Sequence, residues 1–95
     1  MNAETEVFIR IYLNLEQAHD IRGHLRPTLY AFRDSYVARV REGLSAILVS
    51  RELSPGDYES LTDVEFVTED DLYAYLGKLY AYLFEDARQQ PLPPE

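Results

Sequence analysis

Residues 5–15 read TEVFIRIYLNL, and they decide between two folds. Val7, Ile9, Ile11, Leu13 and Leu15 alternate with Glu6, Phe8, Arg10, Tyr12 and Asn14, the two-residue period of a strand. The stretch also fits a helix. Glu6, Arg10, Asn14, Gln17, Asp20 and His24 fall on one side of a helical turn, and Phe8, Ile11, Tyr12, Leu15 and Ala18 on the other. The alternation stops at residue 15, whereas the helical pattern runs on. Glu6 and Arg10 also stand at i,i+4 in the favourable order. A helix over residues 4–22 is therefore expected, and a strand over residues 5–15, which would make the fold α+β, is the alternative.

Further along the chain, Gly23 supplies a stop and Pro27 a fresh start. Leu29, Phe32, Tyr36, Val40, Leu44 and Ile47 recur at spacings of three and four, which predicts a second helix over residues 27–52. Gly43 lies beside this stripe, where it either permits close helix approach or marks a bend. Ser54-Pro55-Gly56-Asp57 reads as a cap, a first-turn proline and an acid at the third helical position, opening a short helix to about Leu61. Residues 63–67 alternate briefly, as a connector or a short strand. Thr68 caps a last helix whose first turn holds Glu69, Asp70 and Asp71, acids that the helix dipole favours there.

That helix contains a duplicated heptad, LYAYLGK then LYAYLFE, over residues 72–85. Leu72, Leu76, Leu79 and Leu83 form its seam, flanked by Tyr73, Tyr75, Tyr80 and Tyr82. Two heptads fall short of a coiled coil. After Arg88 the chain reads QQPLPPE, an extended composition. The fold expected is all-α: a small helical bundle of three main helices plus one short helix over residues 1–90, with an extended proline-rich tail over residues 91–95.

Composition narrows the function. The 95 residues carry 17 acids and nine bases, a net charge of −8. The imbalance is local. Residues 1–51 hold six acids and seven bases, and residues 52–95 hold eleven acids and two bases. No Lys or Arg lies between Arg51 and Lys78. Such asymmetry bears on partners and association rate rather than on fold. Without cysteine there is no disulfide framework and no thiol chemistry. The acidic N-terminal stretch differs from a secretory signal, and no apolar run reaches the length of a membrane span, so a cytoplasmic, membrane-free protein is expected. Direct nucleic-acid binding needs clustered bases, and here the arginines are interleaved with acids; Arg22, Arg26 and Arg33 make at most a small patch.

No phosphate loop, nucleophile elbow or zinc-protease motif occurs, so no catalytic residue and no cofactor is expected. Glu16-x-x-His19 has the spacing of a helical carboxylate metal site but lacks a second pair. The acidic stretch is the feature left to account for. Asp57, Glu69, Asp70 and Asp71 have a helix-start explanation; Glu52, Glu59, Asp63 and Glu65 have none. The function expected is non-enzymatic: an acidic module that docks on a basic protein, of the inhibitor, immunity-protein or nucleic-acid-mimic type. Its surface would comprise Asp57, Tyr58, Glu59, Asp63, Glu65, Glu69, Asp70 and Asp71, with Tyr58 as apolar anchor. The alternative is a structural subunit that forms a homodimer through residues 72–84. A metal-binding protein built on Glu16 and His19 comes third.

Overall fold

A computed structural model describes residues 1–94. Residues 5–12 are helical, Leu13 and Asn14 interrupt the helix, and no strand occurs among the described residues. The elements are α1 (Ala3–Tyr12), α2 (Leu15–Ala18), α3 (Leu25–Tyr30), α4 (Asp34–Ser50), α5 (Pro55–Thr62) and α6 (Glu69–Phe84). The long helices α1, α4 and α6 frame the core: α4 packs between the other two, and α5 lies against α1. No helix among the described residues is long and apolar enough to cross a membrane.

The helix count differs from expectation because two expected helices are each broken. Asn14 breaks the first. Its Nδ2 donates to the carbonyls of Arg10 and Ile11, both at 3.1 Å, which satisfies the last turn of α1. Its Oδ1 accepts from the Gln17 N–H at 3.1 Å and so caps α2. One short side chain thus ends one helix and starts the next. The second break falls at residues 31–33. Phe32, expected in the buried stripe, is partly exposed there and stacks on Tyr36 with ring centroids 4.5 Å apart.

α1 turns Thr5, Phe8 and Ile9 inward, spacings of three and one along a single face. It crosses α4 at Gly43. A methyl group at Gly43 would stand 1.9 Å from Thr5 Oγ1, so the glycine serves close approach rather than a bend. The contact is polar as well as tight: Thr5 Oγ1 and Asn2 Nδ2 both donate to the Arg39 carbonyl, at 3.2 and 2.8 Å.

The starts of α5 and α6 follow the sequence signals. Ser54 and Asp57 form a reciprocal capping box, and Thr68 Oγ1 accepts from the Asp71 N–H at 3.1 Å. The leucine seam of α6 is buried, each residue no more than 2% exposed. Burial of four leucines at roughly 1.5–3 kcal/mol each makes this seam a principal source of stability. Tyr73 bridges to the loop before α5: its hydroxyl donates to the Leu53 carbonyl at 3.0 Å and accepts from the Leu53 N–H at 3.1 Å. α3 holds the far end of α6. Arg26 lies over the Tyr82 ring and donates to the carbonyls of Tyr82 and Ala87, and Tyr30 donates to Leu83 O at 2.7 Å. Residues after α6 fold back along the domain: Pro93 is buried, and Gln90 Nε2 donates to the Asp20 carbonyl at 3.3 Å.

Candidate partner-binding surface

The eight residues assigned to the acidic surface separate into three groups. Tyr58 leaves that surface altogether. It is 0% exposed, its ring packs edge-on against Phe66 at 5.7 Å, and Phe66 lies 5.3 Å from Tyr75. The expected anchor is a core residue, because residues 64–66 turn Val64 and Phe66 inward and close an aromatic cluster over α5. Burial raises the pKa of Tyr58, helped by neighbouring Tyr75, whose own pKa burial also raises. Neither hydroxyl has a hydrogen-bond partner among the described residues.

A second group is taken up by the fold. Asp57 Oδ2 accepts from the Ser54 N–H at 3.2 Å within the capping box. Arg51 Nη1 reaches Asp70 Oδ1 at 2.9 Å and Glu69 Oε2 at 3.5 Å, and its guanidinium lies 5.0 Å from the Tyr73 ring centroid. Hydrogen bonding to Asp70 raises the Arg51 pKa further. Glu52, unexplained by the sequence, pairs with the Met1 amino group at 3.0 Å. Asp71 is exposed in the first turn of α6, where the dipole favours it.

The third group is Glu59, Asp63 and Glu65. All three are exposed, and none forms an ion pair among the described residues. Asp63 goes further than neutrality. It ends α5 in the left-handed region, φ 63°, where glycine is preferred. Its carboxylate also sits at the negative end of the helix dipole and one helical turn beyond Glu59, whose carbonyl accepts the Asp63 N–H. Each of these placements opposes stability.

Val67 is the residue that sequence reasoning missed. It is 88% exposed beside Glu65 and Glu69 in the chain. The signal was available: Val64 and Phe66 set the inward phase of the connector, and Val67 is out of that phase.

The other candidate features are placed as follows. Glu16 is exposed, while His19 Nδ1 lies 3.0 Å from the Leu15 carbonyl with Nε2 buried and unpartnered. The two do not converge with a third ligating side chain among the described residues. Of the three arginines in the small basic patch, Arg22 is bound by Asp20, whose carboxyl these hydrogen bonds hold well below its usual range. Arg26 is taken up at the end of α6, and Arg33 precedes α4 with its side chain exposed. A hollow of about 1370 Å³, which no sequence signal announced, lies between α6 and residues 87–94 and is bordered by Lys78, Arg22 and Arg88. No family model, curated protein or solved structure matches the chain.

Proposed function

We propose that this chain is a non-enzymatic acidic module that docks on a basic protein through α5 and the connector after it. Glu59, Asp63 and Glu65 supply the charge, and Val67 replaces Tyr58 as the exposed apolar contact. The observation that carries this reading is the run of exposed acids Glu59, Asp63 and Glu65, none of which forms an ion pair among the described residues; Asp63 in addition places its charge at the negative end of α5, in a left-handed backbone that Arg51 and Asp86 adopt after α4 and α6 as well. Its unpaired neighbours Glu59 and Glu65 extend the same negative stretch.

Binding fits the surroundings better than catalysis. The Tyr58 and Tyr75 hydroxyls, whose protonation is strongly perturbed, are buried without a partner to exchange a proton with. A cytoplasmic setting suits a cysteine-free chain. Assembly through residues 72–84 has little surface to use, since the leucines face the chain's own core and only Ala74 and Lys78 in that range are exposed.

The test is capture from host lysate with wild-type protein and with the triple variant Glu59→Lys/Asp63→Lys/Glu65→Lys, at low and at high salt. A basic protein retained by the wild type at low salt, and lost both with the triple reversal and with salt, supports the reading. Retention by both proteins, independent of salt, overturns it.

A further inference from the structure

Lys78 and Arg88 are the two bases of the acidic half of the chain, and both border the hollow beside α6. Neither forms an ion pair among the described residues, although eleven acids share residues 52–95 with them. Lys78 has no acid beside it on its own helix: the positions three and four residues away are Ala74, Tyr75, Ala81 and Tyr82. Those four residues also line the hollow, so α6 presents it with small and aromatic side chains around a single cation. Arg22 borders the hollow too, but Asp20 takes up its charge.

The opposite wall comes from the chain after α6. Pro93 is buried and Gln90 donates to Asp20 O, which anchors the returning segment. Leu92 does not share that burial: it borders the hollow and stays 54% exposed. Ile21, 49% exposed, lies on the same border. Two large apolar side chains and two unpaired cations thus surround one space of about 1370 Å³. Ordinary ligand clefts hold roughly 300–1,000 Å³, so room is not limiting. The face of α6 from Asp71 to Tyr82 gives the space a length of about 16 Å. Asp71 stands about 10 Å N-terminal to Lys78 along that face, so the Lys78 end is the one that favours an anion.

We propose that the hollow binds a small amphipathic anion, an alkyl carboxylate, independently of the acidic surface at α5. The carboxylate meets Lys78 and Arg88, whose long stems lie along apolar surface and let both charges reach one head group. The alkyl chain lies between Ala74 and Tyr75 on one wall and Leu92 on the other. The two charges select the sign of the ligand: a cationic amphiphile is repelled, and a neutral one leaves both cations unpaired.

The experiment titrates sodium dodecanoate, below its micelle concentration, into the isotope-labelled full chain and follows amide shifts by NMR. Saturable binding at one site with Kd below about 1 mM is expected, with shifts concentrated at Ala74, Lys78, Ala81, Arg88 and Leu92. Octanoate should bind more weakly, because each buried methylene contributes up to about fourfold in affinity. Dodecyltrimethylammonium, of the same chain length and opposite charge, should leave these amides unshifted. Lys78→Gln/Arg88→Gln should weaken dodecanoate binding about tenfold or more. Ala74→Glu should also weaken it, since a glutamate four residues before Lys78 pairs with that cation. Circular dichroism and melting point should stay near the wild type in these surface variants. The triple reversal at Glu59, Asp63 and Glu65 should bind dodecanoate at least as tightly as the wild type. Absence of saturable binding, binding of the cationic amphiphile at the same amides, or equal dodecanoate binding by the double glutamine variant overturns the proposal.

Discussion

α6 and the stretch from α5 to Val67 are built from the same kinds of residue, acids and tyrosines beside buried apolar side chains, yet the fold uses them differently. In α6 the acids occupy the first turn, two of them on Arg51, and Tyr73 is bonded to Leu53. In the other region Tyr58 is buried with an unpartnered hydroxyl, and Glu59, Asp63 and Glu65 form no ion pair among the described residues. An acid explained by its helix position tells little about function. The proposed partner surface therefore rests on the acids that the fold leaves without an ion pair.

The contrast can be broken first at the seam of α6. Leu79 is fully buried, and Leu79→Ala should lower stability by about 2–5 kcal/mol, a large part of the total for a domain of this size. Thermal melting followed by circular dichroism reads this directly, and a shift within error would mean that the seam does not support the monomer.

The tyrosines give the next largest effect, with opposite signs at Tyr73 and Tyr58. Tyr73→Phe removes both bonds to Leu53 and leaves that backbone pair buried, at a cost of about 1–3 kcal/mol. Tyr58→Phe removes a hydroxyl that has no partner, so urea unfolding should show unchanged or higher stability. The pH dependence sharpens the comparison. Burial raises Tyr58 and Tyr75 above the ordinary value of 10.0, so the folded chain keeps protons that the unfolded chain releases. Their contribution is fully present below pH 10 and is lost as pH rises beyond it. The double variant Tyr58→Phe/Tyr75→Phe should flatten this alkaline loss.

The smallest effects fall on the acids. Asp57→Ala disrupts the capping box and should cost about 0.5–2 kcal/mol. Glu59→Gln and Glu65→Gln should stay within about 0.5 kcal/mol of the wild type. Asp63→Gly should stabilise by up to about 1 kcal/mol, since it relieves the left-handed backbone and removes a charge from the end of α5. Destabilisation by Asp63→Gly would show that the carboxylate has a structural role after all.

Much of this architecture was legible in the sequence because its signals are local. Ser54 with Asp57, Thr68 with the three acids after it, and the leucine repeat each fix an element within a turn or two. The helix over residues 5–15 was legible from its period, but its end was not. Asn14 matched the polar face, and only its competition for the Arg10 and Ile11 carbonyls decided the break. Tyr58 was misplaced because its burial depends on Phe66 and Tyr75, residues on other segments that no local pattern brings together. For the same reason the hollow could not be read: it exists only because residues after α6 return to Asp20. Within the acidic surface, charge was legible from composition. Which acids were unpaired depended on where Arg51 and the Met1 amino group came to rest.

The most direct test of the central claim is the association rate of the captured basic protein by surface plasmon resonance, measured across salt concentrations for the wild type and the Glu59→Lys/Asp63→Lys/Glu65→Lys variant. Exposed charges act over about 8 Å at physiological ionic strength, and steering of opposite charges raises association by about 10- to 1000-fold at low salt. The wild-type rate should fall steeply with salt, and the variant should associate slowly at every salt concentration with its melting point nearly intact. An association rate that ignores salt, or a variant that associates as the wild type does, would contradict the claim that these three acids face a partner.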